Sequence, residues 1–124
     1  MAALSTTIVP STTFGTPSGN YDGSTITFNS DNSKGDGYLG YTDGLHTVAY
    51  YLNGFVGVIT IQASLVTTPT TDADWFTVTN GVIGDGSTAM STPGFVNFTG
   101  NFVWVRINVT QFSAGTITKI LYNF

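Results

Sequence analysis

The sequence predicts an all-β chain: a single antiparallel β-sandwich or jelly roll over residues 24–124, preceded by an extended N-terminal arm over residues 1–23. Three observations carry this. Apolar residues recur at every second position through 55–66 and 102–110, the spacing of half-buried strands. No window places apolar residues at i, i+3, i+4 and i+7, and fifteen glycines weaken any helix that would form. The 124 residues, 41% of them hydrophobic, suit one core, with turn-like Gly, Ser, Thr and Asp segments between short apolar runs.

In residues 1–23, rich in Ser, Thr, Gly and Pro, the apolar positions are scattered and share no periodic face. Ile8, Val9, Pro10 and Phe14 offer too little area to fold alone. They are read as the contacts of an assembly arm that fills shallow grooves on a neighbouring subunit, with its backbone extending a sheet edge. Ile26 and Phe28, alternating with Thr25 and Thr27, make a short first strand. Residues 29–44 hold four glycines and three aspartates and read as a loop. A strand follows at His46 to Leu52, and Asn53-Gly54 is a hairpin signal. The run from Phe55 to Val66 sets Phe55, Ile59, Ile61 and Leu65 on one face against Thr60, Gln62 and Ser64 on the other. Thr67 to Asp74 is a loop, Trp75 to Val78 a strand, 79–94 a second loop, and Phe95 to Phe98 a strand ending in the turn Thr99-Gly100-Asn101. The clearest strand, 102–110, sets Val103, Val105, Ile107 and Val109 against Phe102, Trp104, Arg106, Asn108 and Thr110. Ala114-Gly115 then turns into a last strand at 116–124.

Composition narrows the function. Only 8% of residues are charged, all seven acids are Asp, and the bases are Lys34, Arg106 and Lys119, for a net charge of −4. Three scattered cations cannot track phosphates or hold an anionic membrane surface, so neither nucleic acid nor membrane is expected as a partner. No apolar run approaches a membrane helix, and the first residues lack the basic and apolar parts of a signal peptide, so synthesis in the cytoplasm is expected. The absence of cysteine removes disulfides, thiolate nucleophiles and zinc-thiolate sites.

The single histidine, His46, reads as structural, no Gly-x-Ser-x-Gly elbow occurs, and the close acid pair Asp72 and Asp74 reads as turn-forming. Asp31, Asp36 and Asp43 share a Gly-rich loop, but the spacing is not that of an EF-hand and no Glu exists to complete one. No enzyme activity, metal or cofactor is therefore expected. Exposed loop aromatics can stack on sugars, which makes Tyr38 and Tyr41 a candidate ligand surface and carbohydrate a candidate partner. Trp75, Trp104 and Arg106 are read as structural, the stem of Arg106 packing along Trp104 or Phe102 and its guanidinium reaching an Asp or backbone carbonyls.

Gly37-Tyr38-Leu39-Gly40-Tyr41-Thr42-Asp43-Gly44-Leu45-His46-Thr47-Val48, with Gly54-Phe55-Val56-Gly57, Ile61-Gln62-Ala63-Ser64-Leu65 and Asp74-Trp75-Phe76, resembles small virion structural proteins of tailed bacteriophages, particularly those of marine cyanobacteria. Gly100-Asn101-Phe102-Val103-Trp104-Val105-Arg106 and Phe112-Ser113-Ala114-Gly115-Thr116-Ile117 fit the same group, and the resemblance covers about residues 20–124. It implies a capsid decoration protein or another accessory head or tail component, located in the virion. Such a protein works by contact with major capsid, neck or tail proteins and with copies of itself. A carbohydrate-binding or host-recognition module of a tail fibre is the alternative. Ile59 to Ser64, Trp75 and Val105-Arg106-Ile107 also resemble, in order, discoidin-like jelly rolls, a likeness of fold that transfers no ligand site.

Overall fold

The structure is a computed structural model that describes residues 5–40 and 44–123. It is an antiparallel β-sandwich made from one open, strongly bent sheet. The strands are β1 (Thr6–Val9), β2 (Thr12–Thr13), β3 (Phe28–Asn29), β4 (Ser33–Lys34), β5 (Leu45–Ser64), β6 (Phe76–Ile83), β7 (Gly94–Thr99) and β8 (Trp104–Asn123). One helical turn, α1 (Asp36–Leu39), follows β4, and a 3-10 turn occupies Asp72–Asp74.

The two long strands β5 and β8 pair antiparallel from Thr47↔Asn123 to Ser64↔Trp104 and form the spine of both layers. In the first layer the N-terminal half of β5 and the C-terminal half of β8 are flanked by β7 on one side and by β1 and β2 on the other. In the second layer the remaining halves are flanked by β6 on one side and by β3 and β4 on the other. The spine crosses between layers unbroken; the outer strands do not. Each side changes layers through the same tetrapeptide, Asp22-Gly23-Ser24-Thr25 between β2 and β3, and Asp85-Gly86-Ser87-Thr88 between β6 and β7.

The bend is made by bulges. Register between β5 and β8 shifts at Tyr51/Leu52, Asn53/Val56 and Val56/Val58, and Gly54 (φ 62°), Gln111 (φ 54°) and Gly115 (φ 84°) take left-handed backbone there. Each extra residue swaps which alternate positions face inward. In β5 the buried positions are 46, 48 and 52 before the bend and 55, 57, 59, 61, 63 and 64 after it. In β8 the inward positions are 105, 107 and 109, then 112 and 117, then 120 and 122, with the outward Arg106 buried as well. The concave side thus stays apolar throughout. Phe98 of the first layer and Phe76 of the second both pack on Phe102, with ring centroids 6.0 and 5.5 Å away, closing the open end of the core. Tyr21, Phe28, Phe55 and Phe112 fill the bent end.

Four expectations are corrected. Asn53-Gly54 and Ala114-Gly115 are bulges rather than hairpin turns, because the residue that readily takes positive φ serves either purpose and here the strand continues past it. The arm is not a separate element. Thr6, Thr7 and Val9 pair with Tyr122, Leu121 and Ile120, and Ile8 and Val9 are buried in the chain's own core, so neither is left for a neighbour. An unpaired edge of β8 and an uncovered core beside it explain that docking. Pro10 and Phe14 stay exposed, Phe14 edge-on to Phe112 at 5.6 Å. No boundary falls at residue 23, since Tyr21 and Phe28 pack together across it at 5.2 Å. Ile26 and Leu65 point outward, Ile26 because its carbonyl rather than its side chain meets the corner, accepting from the Phe112 N–H at 3.0 Å.

Candidate functional site

The outer faces of the two layers carry different chemistry. On the first layer, strand register lines up Phe95, Ala49 and Leu121 in one row, with Asn97, Thr47 and Asn123 in the next. Phe95 is 67% exposed and Leu45, on the same face, 55%. Tyr51 lies under the Lys119 ammonium at 4.9 Å, and the Thr47 hydroxyl donates to Asn97 at 2.7 Å. The face therefore has an apolar row bordered by the polar row of Asn97, Thr47 and Asn123 on one side and by Tyr51 and Lys119 on the other.

On the second layer the outward residues of β8 are Trp104, Arg106, Asn108 and Thr110. Asn108 Nδ2 donates to Asn29 Oδ1 at 2.6 Å. Residues 65–75 fold back over this face. The indole N–H of Trp104 donates to the Thr67 carbonyl at 2.9 Å, and Asp74 Oδ2 accepts the N–H groups of Thr70 and Thr71 at 2.8 and 3.2 Å, which fixes the loop's shape.

Between loop and sheet lies a polar groove of about 340 Å³ with Arg106 at its base. The guanidinium is fixed from three directions. Nε donates to Gln62 Oε1 at 2.8 Å, Nη2 donates to Asp72 Oδ1 at 3.1 Å, and the Trp75 ring lies 4.4 Å from the guanidinium carbon. Asn32, Pro69 and Thr70 complete the walls. Arg106 thus reaches an Asp, and its stacking partner is Trp75 rather than Trp104 or Phe102, because loop 65–75 carries that ring over the sheet.

Tyr38 is exposed on α1, its ring 4.9 Å from Trp104 and beneath Lys34 Nζ at 4.8 Å. Tyr41, the other half of the candidate loop surface, lies outside the described residues. The structure thus brings Arg106 and Trp75 together and places Trp104 next along the same face of β8, while Pro10 and Phe14 take no part in the groove lining.

Sequence reasoning assigned Asp72 only a turn and gave Gln62 only a face. The signal for their role was the lone arginine mid-strand, whose charge requires acceptors within reach.

A second polar group is sealed inside. His46 Nε2–H donates to the Gly100 carbonyl at 2.6 Å, since a carbonyl can only accept, and Nδ1 shares a hydrogen bond with the Tyr122 hydroxyl at 2.9 Å. Burial first, and then the nearby Asp36 carboxylate, push the Tyr122 hydroxyl well above its ordinary range, so it remains a donor. Asp36 Oδ2 accepts the Gly44 N–H at 2.8 Å and ties α1 to the start of β5. His46 and Asp36 are fully buried, which suits pinning the open end of the sandwich rather than meeting a substrate. The clue to Asp36 in the sequence was an acid between Gly35 and Gly37, where a side chain at either glycine would run into the Phe102 or Asn101 carbonyl.

Among the described residues no three His, Asp or Glu side chains gather as metal ligands, and no helix is long and apolar enough to cross a membrane. Comparisons with protein-family models, with curated proteins and with solved structures find no match for this chain.

Proposed function

We propose that this chain is a virion structural protein of a tailed bacteriophage, a capsid decoration or accessory head or tail component that works through protein–protein contacts. The observation that carries this reading is the apolar patch on the outer face of the first layer, where Phe95, Ala49 and Leu121 form a row across paired strands with Tyr51 beside it and Leu45 beyond the row of Thr47. A rigid sheet face with aromatic anchors is suited to burial against another protein, since aromatic side chains contribute most to such contacts at low ordering cost. The resemblance of residues 20–124 to phage structural proteins supplies the particle. With Ile8 and Val9 committed to the chain's own core, the contact surface is assigned to this face rather than to the N-terminal segment.

The test is incorporation. Particles purified from the producing host should contain the chain by mass spectrometry, and Phe95→Ser should reduce its copy number severalfold while leaving the melting temperature of the isolated protein unchanged. Full occupancy of the variant would assign the contact elsewhere, and absence of the chain from particles would overturn the reading.

A further inference from the structure

We propose that the groove over Arg106 is a binding site for a neutral saccharide, independent of the assembly face on the other layer. The argument starts from how Arg106 is held. Its side chain is only 10% exposed, yet it is paired with a carboxylate whose own side chain is 90% exposed. Such a pair adds little to stability, because water screens the exposed partner while the buried one has lost its hydration. In a chain with three cations, an arginine under a folded-over loop calls for another use.

Its free valences supply one. Nε and Nη2 are engaged, and among the described residues Nη1 meets no protein acceptor and is not sealed from water. Asp72 uses Oδ1 on Arg106, and among the described residues Oδ2 takes no hydrogen bond. Arg106 and Asp72 both line the groove, each with a polar atom left unused by the protein, and the bonds at Nε and Nη2 hold the guanidinium in place before any ligand arrives, which lowers the ordering cost of binding.

That pair matches two adjacent hydroxyls of a sugar ring, one donating to Asp72 Oδ2 and the other accepting from Arg106 Nη1. The Asn32 amide can serve a third hydroxyl, and Pro69 and Trp75 offer apolar surface to the C–H groups of the sugar. Charge sets the class. An anionic ligand would meet Asp72 and a net charge of −4, and a cation would meet the guanidinium. An apolar ligand would strand both polar groups without partners. The volume, at the small end of ligand sites, holds one or two sugar rings.

The experiment uses the full chain with the methyl glycosides of glucose, galactose, mannose and N-acetylglucosamine. Binding is read by saturation-transfer NMR and by quenching of tryptophan fluorescence. At least one should bind, and Asp72→Asn, a change at an exposed side chain, should weaken it about tenfold, as loss of a hydrogen bond to a charged group does. Arg106→Gln should abolish binding, and Phe95→Ser should leave it unchanged, which separates this site from the assembly reading. No binding by any of the four, binding indifferent to Asp72→Asn, or tighter binding of glucuronic acid than of methyl glucoside would overturn the proposal.

Discussion

In the first layer the outward side chains of β5 and β8 include Leu45, Ala49, Tyr51 and Leu121; in the second they include Thr60, Gln62, Arg106 and Asn108. The same two strands supply both faces, and both layers present a largely apolar inner side. The core therefore constrains only half of each strand, and the other half is set separately in each layer. What makes this possible is the shift in register at the bend. His46, Val48 and Leu52 occupy even positions and face inward, whereas Thr60 and Gln62, also even, face outward. An unbulged pairing would put Gln62 on the side of His46 and bring polar groups into the core.

The comparison breaks most completely at the bend itself. Gly54 and Gly115 both have positive φ, but a Cβ on Gly54 would meet nothing, whereas one on Gly115 would be driven into the Gly54 carbonyl. Gly54→Ala is expected to cost about 1–2 kcal/mol, the strain of left-handed backbone alone. Gly115→Ala adds the collision of two spine strands and is expected to cost about 4 kcal/mol or more, or to prevent folding. Urea denaturation of the pair decides it. Equal losses at the two glycines would mean that the spine does not close on itself at this point.

The inner side was largely legible from period-two spacing: Phe55, Ile59, Ile61, Val105, Ile107 and Val109 all face the core, whereas Val103, expected beside them, precedes β8 and is only half-buried. The bend was not legible, because Asn-Gly and Ala-Gly announce positive φ without saying whether the chain reverses or continues. Nor was the N-terminal strand, since four residues docked on an edge need no periodic pattern of their own. The groove was half legible. A lone mid-strand Arg106 pointed to an acceptor, but which loop would fold back to supply Asp72 and Trp75 depends on contacts distant in sequence.

The docked N-terminal strand gives the next test. If Val9 is part of the first layer's core, Val9→Ala should lower unfolding free energy by about 2 kcal/mol. The central Ile107→Ala in the second layer should lose roughly 2–5 kcal/mol. A loss below about 0.5 kcal/mol at Val9, of the size seen at surface positions, would return residues 1–23 to the role of a free arm.

The smallest effect concerns the two Asp-Gly-Ser-Thr turns that carry the outer strands between layers. In each, one carboxylate oxygen accepts two backbone N–H groups: Asp22 Oδ1 from Ser24 and Thr25, both at 2.9 Å, and Asp85 Oδ1 from Ser87 and Thr88, both at 2.8 Å. Hydrogen bonds from the Ser87 and then the Thr88 N–H hold the Asp85 carboxyl down at about 2, against an ordinary 3.8, and the matching bonds lower Asp22. A carboxylate whose folded value is depressed contributes stability that is fully present above the unfolded value and is lost as pH falls through the folded one. For Asp85 that window runs from about 3.8 down to about 2. Both groups lie at the surface, so the change in stability should be slight. The measurable quantity is the titration itself, the side-chain carboxyl carbon shift of Asp85 followed by NMR from pH 5 to pH 1.5, with a midpoint expected at about 2. Asp85→Asn keeps an acceptor for both N–H groups but removes the ionised form that they favour, so it should lower the plateau near neutrality slightly and flatten the acid limb of the stability curve. A midpoint at the ordinary 3.8 would mean that the turn between β6 and β7 is not closed in solution, and the two crossings between layers would then not be equivalent.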